Sequence, residues 1–237
     1  MKLRAEGSSW IEKAKKRAAL EAVKHVKGGY IIGLGSGSTA AYAIEEIGRI
    51  ARKRNWRIIG VPTSYQAMQS ATKCGIRLTT LSEHPEVDLT IDGADQIDKE
   101  LNLIKGMGGA LTREKIVASA SKQVVIVADE RKLVEKLGMK HSVPVEVLPF
   151  AVSTVMLAIR EMKGKPCLRE TSGKVGPLVT DNGNFILDVD FGTIDAPRKL
   201  DSQLRFVPGL VETGIFAGMT DIVYLGSKDS VRELRKG

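Results

Sequence analysis

Tyr30-Ile31-Ile32-Gly33-Leu34-Gly35-Ser36-Gly37-Ser38-Thr39 is the stretch on which the fold turns. Its first half is a short apolar run suited to a buried strand, and its second half sets glycines and hydroxyls where the chain must reverse. Ala41, Ile44, Ile47 and Ile50 then recur at the helical spacing, so the order is strand, glycine turn, helix. Upstream, Ile11, Ala14, Ala18, Ala22, Val23 and Val26 predict a first helix that stops at Gly28-Gly29. Downstream, the spacing predicts a strand over 57–61, a helix capped by Ser64, and a strand over 87–91 ending in Asp92. A helix capped by Thr112 and a strand over 123–128 ending at Asp129 complete the series. Strands alternating with helices imply an α/β fold with a mostly parallel, doubly wound, Rossmann-like sheet.

After about Leu137 the pattern changes. Strands over 143–147, 166–170, 185–191 and 210–213 and helices over 150–162 and 197–204 follow in the order βαββαβ, which predicts a ferredoxin-like α+β unit. A last apolar strand over 221–225 suits a return to the first sheet. The expected organisation is a main domain of 1–136 and 214–237 with 137–213 inserted as a small domain.

With 43% apolar content over 237 residues the chain can bury a sizeable core. Its apolar runs, such as Val124–Ala128, are too short to span a bilayer, and the basic N-terminus lacks a secretory signal, so no membrane partner and a cytoplasmic location are expected. Cys74 and Cys167 lie far apart with no CxxC or Cys/His pattern, which predicts ordinary buried or half-buried thiols and neither disulfide nor zinc. The net charge of +8 implies an anionic partner. Its basic residues gather at Lys13–Arg17 and Arg49–Arg57, as on a solvated helix face, and aromatic content is only 5%, so nucleic acid is not the expected one.

Three segments can carry chemistry. The turn Ser36, Gly37, Ser38 and Thr39 can offer amide hydrogens to a phosphate at a helix start, or can be a plain glycine turn with Ser38 as cap. It matches neither a Walker sequence nor a dinucleotide fingerprint. Asp92, Gly93, Ala94 and Asp95 put two carboxylates at a strand's carboxyl end. There they can bind sugar hydroxyls, hold a divalent ion, or make a solvated turn. The metal reading is the poorer, since no histidine accompanies them. Lys105, Gly106, Met107, Gly108 and Gly109 followed by Glu114 join a cation and exposed amides, suited to an oxyanion, to a carboxylate that can take a proton. Glu114 also fits a first-turn acid that merely complements the helix dipole. His25, His84 and His141 fall outside all three segments, which leaves acid and base work to carboxylates and lysine. Lys15 and Lys132 read on their own as solvated lysines.

In order, GLGSGSTA, DLTIDGADQID, KGMGGALTREKI and VADERKLVEKLG over Gly33–Gly138 resemble the ribose-5-phosphate isomerase A family. The resemblance continues through PVEVLPFA, TDNGNFILDV and FAGMTDIVYLG. It implies a Rossmann-like main domain with a ferredoxin-like small domain. It also implies metal-free interconversion of ribose 5-phosphate and ribulose 5-phosphate, no cofactor, and a homodimer or homotetramer. By motif position it makes Glu114 the proton acceptor. Ser36, Gly37, Ser38, Thr39, Asp92, Gly93, Ala94, Asp95, Lys105, Gly106, Met107, Gly108, Lys132 and Lys15 fall at substrate contacts. Ser36 stands where many relatives have threonine, and Met107 where they have glycine. Two other readings are a sugar-phosphate sensor, which should carry a separate DNA-binding module, and a nucleic-acid binder. Neither finds a motif here.

Overall fold

The computed structural model describes residues 2–236 and divides into two compact units, one of 1–94, 113–132 and 219–237, the other of 95–112 and 133–218. In chain order the helices are α1 (Lys2–Val23), α2 (Ser38–Arg54), α3 (Tyr65–Lys73), α4 (Leu111–Ser119), α5 (Val152–Glu161) and α6 (Pro197–Arg205). The strands are β1 (Ile31–Leu34), β2 (Ile59–Pro62), β3 (Arg77–Leu78), β4 (Leu89–Asp92), β5 (Gln96–Ile97), β6 (Leu103–Ile104), β7 (Val124–Asp129) and β8 (Val143–Val147). After them come β9 (Lys165–Leu168), β10 (Glu170–Thr171), β11 (Lys174–Pro177), β12 (Phe185–Asp190), β13 (Leu210–Thr213), β14 (Ile215–Phe216), β15 (Ile222–Gly226) and β16 (Val231–Arg235).

The first unit is built on a seven-stranded sheet in the order β16-β15-β7-β4-β1-β2-β3. All its pairings are parallel except β15 with β16. From β1 the chain winds outward through β2 and β3, then restarts at β4 and winds the other way through β7 and β15. The switch therefore lies between β1 and β4. β4 and β7 are buried at every residue, as strands covered by helices on both faces must be. Ala18, Ala22, Ile44, Ile47, Ala67 and Ala71 from three helices close on Ile32, Leu34, Leu89 and Val125 in one core. β16 (VRELR) is an antiparallel addition at the sheet edge that the polar end of the chain did not announce.

The second unit carries the sheet β13-β8-β12-β9, antiparallel throughout. With α5 after β8 and α6 after β12, its order and strand directions are those of a ferredoxin-like βαββαβ unit. Val145, Val155, Ile159, Leu187 and Leu204 form its core. Segment 95–112 supplies β5 and β6 of a small sheet, β14-β6-β5, whose third strand follows β13.

Several local expectations are corrected. The α2 N-cap is Gly37 with no side-chain hydrogen bond, so Ser38 is the first helical residue rather than the cap. Thr112 lies inside α4, and its hydroxyl donates to Glu146 instead of closing the helix start. Cys167 is exposed, because β9 turns alternate residues outward on its strand. Ser64 does cap α3, accepting from the Ala67 amide at 3.1 Å.

Candidate active site

In the first unit the functional candidates gather at the carboxyl edge of the sheet, beside the switch point where ligands of open α/β sheets bind. β1 and β4 end side by side, with Gly33 level with Thr90 and Leu34 with Ile91. The Gly35 amide donates to the Ile91 carbonyl at 3.0 Å. A Cβ on Gly35 would fall 2.2 Å from Asp92 Oδ1 and 2.5 Å from Asp92 Cα, so only glycine permits this approach. Asp92, 2% exposed, uses the closeness: its Oδ1 accepts from the Ser36 amide at 3.1 Å and the Gly93 amide at 2.7 Å.

The turn is held from a second side. Ser36 Oγ donates to Ser64 Oγ at 2.6 Å and lies 2.8 Å from Thr63 Oγ1, while the Gly37 amide donates to Gln66 Oε1 at 2.8 Å. Gly37 and Ser38 remain exposed and Thr39 is half-buried. Lys15 reaches this turn from α1, donating to Ser38 Oγ at 3.1 Å and to Glu12 Oε1 at 2.8 Å. The Lys15 bond first, then that from the Tyr42 hydroxyl, hold the Glu12 carboxyl below its usual range, so Glu12 keeps the lysine in place as an anion.

Glu114 sits in the first turn of α4 and is 5% exposed. The direction of α4 places it. The helix leads towards Ser121, which bridges Val87 at the amino edge of the sheet. Nine residues rise about 13 Å, the length of a four-residue strand, so the first turn lies towards the carboxyl edge of the sheet. Val117 packs with Val61 and Val87 and fixes the helix on the sheet. Lys132 ends the short helical turn that follows β7, the neighbour of β4, at the same edge. Before it, buried Asp129 is bound by Arg131 Nε at 2.6 Å. Burial raises the Asp129 carboxyl, but the Arg131 hydrogen bond and charge outweigh it and leave the group below its ordinary value.

In the second unit the loop 105–109 forms a separate construction. Lys105 is 3% exposed, its amide donates to Gly214 O at 2.9 Å, and its ammonium lies 5.5 Å from the centre of the Phe216 ring. Gly106 takes φ +103°, and a Cβ there would meet Leu111 Cβ at 2.9 Å, which explains the glycine. Asp95 turns its carboxylate to the loop, Oδ2 accepting from the Met107 amide at 3.0 Å. Met107, set where the family pattern has glycine, is not among the residues with positive φ, and its side chain is 43% exposed. The backbone at 107 therefore needs no glycine, and the added bulk points to solvent.

Asp92, Gly93 and Ala94 thus stand in the first unit with Ser36–Thr39, Lys15, Glu114 and Lys132, whereas Asp95 and Lys105–Gly108 stand in the second. The chain joins the two sets twice, between Ala94 and Asp95 and within α4. Sequence reading missed the supports: Gln66 and Thr63 under the phosphate-type turn, Arg169 and Asp188 on the 105–109 loop, and Glu146 under Thr112. None carries a local signal, because each acts on a residue at least 19 positions away. Among the described residues no group of three or more His, Cys, Asp or Glu has the placement of a metal site, and no helix is long and apolar enough to cross a membrane.

Comparison with known proteins gives the family. The family model for ribose 5-phosphate isomerase A (phosphoriboisomerase A) matches residues 59–230. The chain is 53% identical over 215 residues to the ribose-5-phosphate isomerase A of Methanosarcina acetivorans, covering 91% of each protein. It is 49% identical over 221 residues to that of Methanothermobacter thermautotrophicus, covering 93% of this chain and 97% of the relative. The solved ribose 5-phosphate isomerase A of Methanocaldococcus jannaschii superposes with a TM-score of 0.92 at 45% identity, over 95% of this chain and 99% of the other. A D-ribose-5-phosphate isomerase solved in complex with phospho-erythronic acid gives 0.93 at 42%, with the same coverage. By the match of its sequence and of its fold, this chain belongs to the ribose 5-phosphate isomerase A family.

Proposed function

We propose that this protein interconverts D-ribose 5-phosphate and D-ribulose 5-phosphate through an enediolate, a step of the non-oxidative pentose phosphate pathway, with Glu114 as the base. The observation that carries the proposal is the meeting of a phosphate-type turn, a buried aspartate and a buried first-turn glutamate at one edge of one sheet. The solved relative bound to phospho-erythronic acid, a four-carbon sugar-acid phosphate, supports the substrate class.

In this reading the Ser36–Thr39 turn, Lys15 and Lys132 hold the phosphate, and that remote binding energy fixes the reacting carbons. Asp92 and Asp95 bind hydroxyls and assist ring opening. The Glu114 carboxylate takes the C2 proton, and the C2–H electron pair forms the C1–C2 double bond as the carbonyl pair moves onto O1. A proton passes from O2 to O1, and Glu114 returns its proton to C1, which leaves the C2 ketone. Lys105 and the loop amides stabilise the charge on oxygen. A positioned base contributes about 10²–10⁴-fold and one oxyanion donor about 10²–10³-fold, so the reaction needs both.

The same reading takes the protein as a cytoplasmic homodimer or homotetramer, supported by the fully exposed Phe150 and largely exposed Phe206, which light scattering tests. The chemistry is tested by running the reaction in heavy water. On prolonged equilibration with the enzyme, deuterium at C1 of ribulose 5-phosphate is expected, because the proton held by Glu114 exchanges with solvent in a fraction of the turnovers; a product still free of deuterium after many turnovers would contradict proton transfer through an enediolate.

A further inference from the structure

Arg169 grips the 105–109 loop by its carbonyls. It follows β9, its own amide donates to Ile186 O at 2.8 Å, and its side chain is 9% exposed. Nη1 donates to Gly106 O at 2.9 Å and to Met107 O at 3.0 Å. On its other side Nε donates to Asp188 Oδ2 at 2.8 Å, and Nη2 donates to Asp188 Oδ1. Asp188 lies on β12 opposite Cys167 of β9, and Arg169 directly follows β9, so the fork joins a strand residue to the end of the strand paired with it. A bidentate guanidinium–carboxylate pair fixes both position and plane.

A trans peptide points its N–H opposite to its C=O. Holding the Gly106 carbonyl therefore fixes the Met107 amide, which Asp95 accepts, and holding the Met107 carbonyl fixes the Gly108 amide. A Cβ built on Gly108 meets nothing within 4 Å, so this backbone borders open space. Burying a cation beside two carbonyls and a carboxylate serves no core packing that an apolar side chain would not serve better.

We propose that Arg169, oriented by Asp188, is a positioning residue that sets the direction of the loop amides stabilising the enediolate oxygen. This rests on the assignment of the 105–108 loop to the reacting end of the substrate.

The test compares Arg169→Met, Arg169→Lys and Asp188→Asn by kcat and KM for ribose 5-phosphate, per folded protein, with hydrogen exchange of the loop amides. Arg169→Met should lower kcat about hundredfold, in the range that about 1 Å of misplacement costs, and leave KM within about threefold. Arg169→Lys, which keeps the charge but loses the fork, should recover about tenfold of that loss, and exchange at Gly106–Gly108 should rise in both. If Arg169→Met does not fold, Arg169→Lys and Asp188→Asn make the same comparison. Wild-type kcat in all folded variants overturns the proposal, and two further readouts say why. Faster loop exchange with wild-type kcat means that Arg169 orders a loop the reaction does not use, which removes the loop assignment as well. Unchanged exchange and kcat beside an inactive Lys105→Met variant would leave the loop assignment standing and remove only the role of Arg169.

Discussion

Replacing Gly35 by alanine adds one methyl group where β1 and β4 end. The new Cβ would stand 2.2 Å from Asp92 Oδ1, 2.4 Å from Asp92 Cγ and 2.5 Å from Asp92 Cα. Carbon atoms rest at about 3.5–4.0 Å, so the strand ends must part by about 1 Å. Because a backbone atom is among the neighbours, no rotamer change relieves the contact. Overpacking of this kind costs about 1–3 kcal/mol, and a hydrogen bond to a charged group, here from the Ser36 amide to Asp92, contributes about 1.5–3 kcal/mol. A combined loss of about 3–5 kcal/mol corresponds to about 10 °C in Tm at this chain length. Since Asp92 and the turn are displaced together, kcat/KM for ribose 5-phosphate should fall at least about hundredfold. Thermal unfolding and steady-state rates measure both, with Gly173→Ala as control, since a Cβ there meets nothing within 4 Å. A Gly35→Ala protein as stable and active as the wild type would refute the claim that β1 and β4 are packed to the backbone at the site.

Three further outcomes are expected. Lys15→Met should raise KM for ribose 5-phosphate by about tenfold with a smaller change in kcat, because a partly exposed charge-assisted phosphate contact is worth about 1–2 kcal/mol; an unchanged KM would remove Lys15 from the phosphate site. Thr112→Val should lower Tm by several degrees and Thr112→Ser should restore it. Glu146, 0% exposed, takes its hydrogen bonds from the neutral Thr112, Thr180, Asn182 and Asn184 side chains, and each lost donor leaves a buried carboxylate less satisfied; equal Tm values would contradict this. Burial, then the hydrogen bond to Glu233, push the Tyr224 hydroxyl up to about 12. Its folded value lies above the unfolded value of about 10, so its stabilising contribution is complete below pH of about 10 and is lost as pH rises towards 12. Ultraviolet titration should find one of the four tyrosines ionising last, and Tyr224→Phe should remove that step.

The legible parts of the fold were those with a strong period. Ile44 and Ile47 on α2 share one core with Val125 and Val127 of β7, and the continuous apolar run of β7 marks a strand buried on both faces. β5, β6 and β14 have two residues each, too few to show any alternation, so segment 95–112 gave no sign of its own sheet. β16 has its two apolar residues, Val231 and Leu234, three positions apart and is otherwise charged, so no period of two marks it as a strand. Thr112 illustrates the competition between local and distant partners. A threonine near a helix start reads as a cap, and here a buried carboxylate 34 residues away takes the hydroxyl instead. The turn, Asp92 and Glu114 could be marked in advance because glycines and acids at strand and helix ends are local signals. That Lys15 of α1 bonds Ser38, or that Arg169 grips Gly106, depends on tertiary approach over 23 and 63 positions, which no spacing encodes.

The most direct test of the proposed isomerase is ketopentose formation from ribose 5-phosphate, with excess chelator, by the wild-type protein and by Glu114→Gln. Robust wild-type turnover in chelator is expected, with a loss of at least about 10²-fold in kcat for Glu114→Gln and substrate binding largely retained. Near-normal kcat in Glu114→Gln would contradict the assignment of the base. An inactive wild-type protein, with chelator or with added metals, would contradict the isomerase itself.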